Sequence, residues 1–268
     1  MKTVRLLFVA MTALVLAGQA TADISLDVTP MRVQLHVMPG AEFTDAVEIT
    51  NVGDEPVRIQ AELEDWFLNE VGTPLYQNAG SLEATASFWV EIAPKDFLIE
   101  PGETEFVRFT TRIPEMVNDG GYHCAIVISN KPIITPDPAS RTVSVRGRIA
   151  TMIYVTVGHP KKSARIENMV AVPGPKGEPR VRLEIENDGR DFLRLAGDLR
   201  LYAGDKAVSA SILLPDVPIL PGTRRILELD LPRGVAPGML ARATIELDGI
   251  GLLVGECPAM VKTGILAK

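Results

Sequence analysis

The chain has 268 residues, 46% hydrophobic, 23% charged and 5% aromatic, with 27 Lys and Arg against 34 Asp and Glu for a net charge of −7. That is enough chain to bury one large core or two ordinary ones without metal or disulfide staples. The acidic balance excludes a nucleic-acid-binding surface as the main business, and three His with two Cys leave too little for a four-ligand zinc site; no cofactor is expected.

Residues 1–22 read as a secretory signal: Lys2 and Arg5 are the basic start, Leu6 to Leu16 the apolar run, and Ala20-Thr21-Ala22 the small-residue cleavage site. The apolar run is short for a bilayer span and no later stretch is longer, so no stable membrane insertion is expected. Loss of Lys2 and Arg5 takes 27 basic residues to 25 against 34 acidic ones, a net charge of −9 for an exported, soluble protein.

From residue 23 onward, short runs alternate apolar and polar residues between Gly, Pro, Asn and Asp. Val47 to Thr50 alternates, Asn51-Val52-Gly53-Asp54 turns, and Val57 to Leu63 alternates again, predicting a pair of strands that each show one face to a core. Glu105 to Arg112 and Arg180 to Ile185 repeat the period, while Ser81 to Ser87 offers one short turn of helix. Strands at this spacing predict an all-β sandwich or barrel.

An internal repeat sharpens that. Val47 to Ile59 aligns without a gap on Leu183 to Leu195, with Glu48, Ile49, Asn51, Gly53 and Arg58 each meeting an identical residue. Ile99-Glu100-Pro101-Gly102 is echoed by Ile219-Leu220-Pro221-Gly222, and Asp119 to Ile128 more loosely by Pro237 to Glu246. Two copies of one sandwich follow, with domains at 23–158 and 159–268 joined at Gly158-His159-Pro160-Lys161-Lys162. Tyr122, two residues before Cys124, has the spacing of a tyrosine corner in an immunoglobulin-type strand. The earlier partner cysteine is missing, so no bridge joins the sheets of that domain; Cys124 and Cys257 read as separate small apolar side chains rather than a link between domains.

No catalytic constellation assembles, and the chain is read as a non-enzyme. There is no Gly-x-Ser-x-Gly elbow or phosphate loop, and Gly249-Ile250-Gly251 misses the dinucleotide pattern. His123 and Cys124 are strand neighbours and point to opposite faces. Glu62, Glu64 and Asp65 are carboxylates on and after a strand, and a solvated face explains the alternating pair.

Leu98-Ile-Glu-Pro-Gly-Glu-Thr-Glu-Phe-Val-Arg-Phe109 and the opening Ile24-Ser-Leu-Asp-Val-Thr-Pro-Met-Arg-Val33 resemble the Pro-Gly turn with its Val-Arg strand, and the first strand, of periplasmic pilus chaperones, the PapD-like proteins. The resemblance covers residues 24 to about 158 best and is only general thereafter. It implies two immunoglobulin-like domains in the periplasm. It implies, too, a chaperone that caps a secreted pilus or surface-protein subunit by donor-strand complementation, with an outer-membrane usher as a further partner. By position it implies that Arg32 and Arg148, with Arg146 one register step away, hold the subunit's C-terminal carboxylate. The lending edge strand would carry Val143, Val145, Ile149, Ile153 and Val155; with Val157 these share one parity between Arg141 and Gly158. A strand that apolar either lines its own core or is normally paired by a partner. The chain departs from the family at Asn118 to Ala125, where its usual Asp-Arg-Glu-Ser-type run is missing, and Pro132 to Ser140 reads as a connector. A non-catalytic adhesive protein binding a glycan or envelope partner, with Trp66 or Trp89 as a stacking platform, is the alternative.

Overall fold

A computed structural model describes residues 25–131, 146–247 and 250–259; the expected secretory signal at 1–22, the expected connector at 132–140, Val143 and Val145 lie outside them. The described residues of the first half form ten strands: β1 (Leu26–Thr29), β2 (Arg32–Val37), β3 (Glu42–Asn51), β4 (Val57–Leu68), β5 (Pro74–Asn78), β6 (Val90–Ala93), β7 (Asp96–Ile99), β8 (Thr104–Arg112), β9 (Gly120–Lys131) and β10 (Arg148–Val157). One sheet runs β1-β3-β8-β6 and the other β2-β10-β9-β4-β5, with β7 also on β4. This is the immunoglobulin strand order. The predicted pair at Val47 and Val57 is thus split: β3 and β4 are consecutive but belong to opposite sheets. Their inward residues, among them Val47, Ile49, Ile59, Val107 and Phe109, meet in one core. The short helical turn expected at Ser81 to Ser87 is not formed there; a 3-10 turn over Ser87–Trp89 begins where that stretch ends.

The second half repeats the plan with β11 (Arg165–Pro173), β12 (Pro179–Glu186), β13 (Leu193–Arg194), β14 (Ala196–Ala203), β15 (Lys206–Ala207), β16 (Ile212–Leu213), β17 (Pro218–Ile219), β18 (Arg224–Asp230), β19 (Leu240–Leu247) and β20 (Gly251–Pro258). Its sheets run β11-β12-β18 and β15-β14-β19-β20, with β16 on β14 and a small β13-β17 pair. Val181, Leu183, Ile185, Leu199 and Ile245 centre a separate core. Cys124 belongs to the first core and Cys257 to the second, both as free thiols.

The sequence repeat is a repeat of hydrogen bonds. The Asn51 amide donates to the Glu55 carbonyl at 2.8 Å and the Ile99 carbonyl at 3.1 Å, and its oxygen accepts from the Gly53 amide at 3.0 Å. Asn187 donates to Asp191 at 2.8 Å and Ile219 at 3.0 Å, and accepts from Gly189 at 3.0 Å. Each asparagine ties the turn after its strand to the residue that opens the Pro-Gly turn. Gly102 and Gly222 take positive φ, +75° and +68°, which glycine adopts freely.

A short joint locks the halves. The Thr156 hydroxyl donates to the buried Asp191 carboxylate at 2.8 Å, the Gly121 amide to the Arg190 carbonyl at 2.7 Å, and the His159 amide to Asp119 at 2.9 Å. The turn between β4 and β5 reaches the second domain, where the Ile226 amide donates to the Glu70 carbonyl at 2.8 Å and Arg224 Nε to the Glu70 carboxylate at 3.0 Å.

Candidate functional site

The outer face of the β2-β10-β9-β4 sheet meets the second domain, and both functional candidates and aromatics collect there. Trp66, Ala125, Val127, Tyr154 and Leu220 are buried in a third apolar cluster, with Ala150, Met152 and Phe192 packed against it. The rings meet edge on: Trp66 to Tyr154 at 5.4 Å, Tyr154 to Phe192 at 5.0 Å, and His123 to Phe192 at 5.9 Å. Aromatic quadrupoles favour this geometry, and Phe192 of the second domain is its cross-domain member.

Strand β10 has two unlike halves. Over Met152–Val157 it is paired on both sides, antiparallel to β9 and parallel to β2, with Arg32 opposite Met152. Ile153, Val155 and Val157 are fully buried in the first domain's own core. Ile153 and Val155 are therefore corrected from a lending edge to an interior strand, because β2, more than a hundred residues upstream, supplies the missing partner. Over Arg148 to Thr151, β10 pairs with β9 alone among the described residues. Ile149 lies here, half-buried and packed on the core.

The three arginines are placed differently. Arg148, opposite Ser129 on β9, is ion-paired with Glu64 and sits 5.7 Å from the centroid of the Tyr76 ring. Arg146 precedes the strand and is exposed. Arg32 is exposed at the start of β2 and makes no hydrogen bond or ion pair among the described residues. Arg148 lies four residues along β10 from Met152, about 13 Å of strand. Arg32 and Arg148 thus share a face without converging on one small anion.

A cleft of about 220 Å³ opens between the domains, lined by Gln34, His36, Tyr154, Lys162, Phe192 and Arg194 among others. Arg194 Nε donates to Asp216 Oδ1 at 2.8 Å and Nη2 to the Asp216 carbonyl at 3.1 Å. The bonded Arg194, seconded by the charge of Arg32, holds the Asp216 carboxyl below its ordinary value. Burial pushes the Tyr154 hydroxyl up, against the pull of Arg194 and Arg32. Arg194 was not visible as a candidate in the sequence, since only the arrangement of the domains brings it to the first-domain face.

The other sequence candidates find structural roles. The Tyr122 hydroxyl donates to the Asn118 carbonyl at 3.0 Å, forming the tyrosine corner its spacing announced. His123 and Cys124 do face opposite ways: His123 is bonded through Nε2 to the Trp66 carbonyl at 2.8 Å within the aromatic joint, while Cys124 lies in the core and burial pushes its thiol well up. Asp65 is fully buried, accepting from the Leu82 amide at 2.9 Å and the Thr85 hydroxyl at 2.6 Å. Trp66 is 1% exposed with its Nε1 donating to the Cys124 carbonyl at 3.0 Å, and half-buried Trp89 packs at a tilt against Tyr122, ring centroids 4.5 Å apart. Neither indole forms an open stacking platform. Among the described residues no group of His, Cys, Asp or Glu is placed to hold a metal ion.

No family model and no curated protein sequence matches the chain. Among solved structures it is similar to the class 5 fimbriae chaperone CfaA, at 13% identity over 87% of this chain and 98% of that one, with a TM-score of 0.48. It is similar also to the E. coli chaperone DraB (17% identity, 87% and 98% covered, TM-score 0.45) and to the Salmonella enterica SafB chaperone in complex with the SafA pilin (16% identity, 89% and 98% covered, TM-score 0.46). At these identities residue roles must come from this chain's own geometry.

Proposed function

We propose that the mature chain is an exported, periplasmic chaperone of the PapD-like kind, two immunoglobulin-like domains at 23–158 and 159–268 that cap a secreted pilus or surface subunit by strand complementation. One observation supports the reading: among the described residues β10 is closed by β2 over its second half and has no strand on that side over its first. A partner strand laid parallel to β10 on that open side continues the line of β2, and its C-terminal end arrives at Arg32. Backbone hydrogen bonds supply affinity in such an addition, and alternate side chains supply specificity. Ile149 is the apolar side chain that the described part of this half would offer to the subunit; Val143 and Val145 lie outside the described residues. Arg32 is the terminal anchor, an unpaired guanidinium whose fork fits a carboxylate, while Arg148 and Arg146 flank the strand's entrance. An outer-membrane usher is the expected recipient of the capped subunit.

The test is expression of the mature chain in its host's periplasm with identification of what co-purifies, for the native protein and for Arg32→Ala with Arg148→Ala. Recovery of one small secreted protein near equal stoichiometry, lost on substitution while the variant stays folded, supports the reading. Undiminished capture by the folded double variant removes the carboxylate anchor, and a partnerless native protein removes the chaperone.

A further inference from the structure

We propose that β20, in the second domain, is a docking edge for a second copy of this chain: two β20 strands pair antiparallel about a two-fold axis at Leu253 and join two second-domain sheets into one. The inference stands apart from strand capture, which uses the first domain.

An edge strand presents unpaired N–H and C=O groups to any strand that fits, and proteins blunt such edges with bulges, charges, proline, short length or a cover. The other edges of this domain are blunted in those ways. β11 is broken by a bulge between Ile166 and Asn168 and carries Arg165 and Glu167. On β18 the Ile226 amide is already taken by the Glu70 carbonyl of the first domain. β15 and β16 are two residues each. β20 has none of these devices from Gly251 to Cys257. Its register with β19 is unbroken, it holds no Lys and no Pro before Pro258, and its single charge, Glu256, is ion-paired with Arg242 of its own sheet. Leu252 and Val254, 65% and 57% exposed, stand on its outer face. β11 packs nearby, where a Cβ on Gly255 would meet Ile166 Cδ1 at 3.0 Å, yet no backbone hydrogen bond joins β11 to β20 among the described residues.

The backbone is set for the pairing. The Ala259 amide donates to the Met239 carbonyl at 2.9 Å, so by the alternation of an antiparallel ladder Cys257, Gly255 and Leu253 direct their N–H and C=O groups to β19. Leu252, Val254 and Glu256 turn theirs to the free side. A second copy fits because the strand is complementary to itself. With the axis at Leu253, Leu252 lies opposite Val254 of the second copy and Val254 opposite its Leu252, both as hydrogen-bonded pairs. The two Glu256 carboxylates are then kept apart. Moving the axis one residue toward Cys257 sets Leu252 against Glu256, and moving it one residue the other way shortens the overlap, since the strand begins at Gly251.

The test is sedimentation equilibrium of the whole mature chain over about 1–200 μM, a range that suits a small interface. The native protein is expected to pass from monomer to dimer across it. Leu252→Lys and Val254→Glu each set a charge against an apolar side chain at two places across the axis, and each is expected to weaken the dimer about tenfold. The double variant, Leu252→Lys with Val254→Glu, puts Lys opposite Glu twice and is expected to restore it. Native-like melting temperatures check that the variants fold. Single variants that dimerise as the native protein does overturn the interface, and loss without recovery in the double variant overturns the axis at Leu253. A dimer lost in Ala150→Pro but kept in both single β20 variants belongs to the first domain and overturns the role of β20. A native monomer that dimerises only when residues 260–268 are removed gives the edge to the chain's own end and overturns the second copy as its occupant. A native chain that stays monomeric in either form overturns the proposal outright.

Discussion

Asn51 and Asn187 occupy equivalent corners of two separate cores and make the same three hydrogen bonds, each side chain joining its own turn to the Pro-Gly turn of the neighbouring loop. Both are fully buried. The backbone repeats the bond as well: the Gly102 amide donates to the Asn51 carbonyl at 2.8 Å and the Gly222 amide to the Asn187 carbonyl at 2.9 Å. Replacing either by Ala strands two carbonyls and an amide that water cannot easily reach. A loss of about 3 kcal/mol is expected for each, nearly additive because the sites share no partner. Urea unfolding of the two single variants and the double variant measures it; a cost under about 1 kcal/mol would show that the corners tolerate solvent.

Arg225 and Gly72 give a prediction of opposite sign. Arg225 is 5% exposed, its Nε has no partner among the described residues, and its Nη1 donates to the Asn69 carbonyl at a long 3.5 Å. Burial pulls its pKa down, the mark of a charge held without a carboxylate. Arg225→Met is expected to be neutral or stabilising by about 1 kcal/mol, as is common when a buried charge is replaced by an apolar chain of similar length. Gly72 has φ of +95°, and a Cβ there would fall 1.8 Å from the Arg225 guanidinium. Gly72→Ala is therefore expected to cost about 1–2 kcal/mol. Adding Arg225→Met should recover the steric part of that cost, which a double-mutant cycle in urea separates from the backbone part.

Much of this architecture was legible in the chain. Asn51-Val-Gly and Asn187-Asp-Gly, with Pro-Gly turns at fixed spacing after them, announced two copies of one corner. Tyr122 announced its own hydrogen bond. What was not legible is pairing over long separation. The alternation of Ile149, Ile153 and Val155 is the same whether a strand's edge is open or filled, and the strand that fills it comes from residues 32–37. Consecutive strands β3 and β4 look like a hairpin for the same reason, since local periodicity specifies a face and not a sheet.

The joint should respond to acid through His123. Its ring is 4% exposed, its Nδ1 has no partner, and Trp66 and Phe192 flank it. Burial lowers its pKa below the ordinary 6.5, outweighing the Trp66 carbonyl and the charge of Asp65, which favour the proton. The folded state therefore takes up the proton later than the unfolded chain as pH falls. This stability is fully present above pH 6.5 and is lost as pH drops through that value toward the folded pKa, at up to about 1.4 kcal/mol per unit. His123→Gln keeps a donor for the Trp66 carbonyl and cannot titrate. Its melting temperature should fall less than that of the native protein between pH 7.5 and 5.5; equal falls would place the sensitivity elsewhere.

The open half of β10 can be tested at the level of a single amide. The Met152 amide donates to the Met31 carbonyl at 3.0 Å, so residue 152 directs its backbone toward the β2 side. In a strand, alternate residues present their N–H and C=O to the same side; Arg148 and Ala150 thus face the open edge, and Ile149 and Thr151 face β9. Proline lacks an N–H and is tolerated where a strand's edge is free. Ala150→Pro is expected to leave the fold within about 1 kcal/mol of native while removing a hydrogen bond that an added strand needs, so subunit capture in the periplasm should collapse. Thr151→Pro, one residue on, breaks the ladder to β9 and should cost about 3 kcal/mol or more. Capture undiminished in a folded Ala150→Pro protein would mean that the partner does not add to this edge.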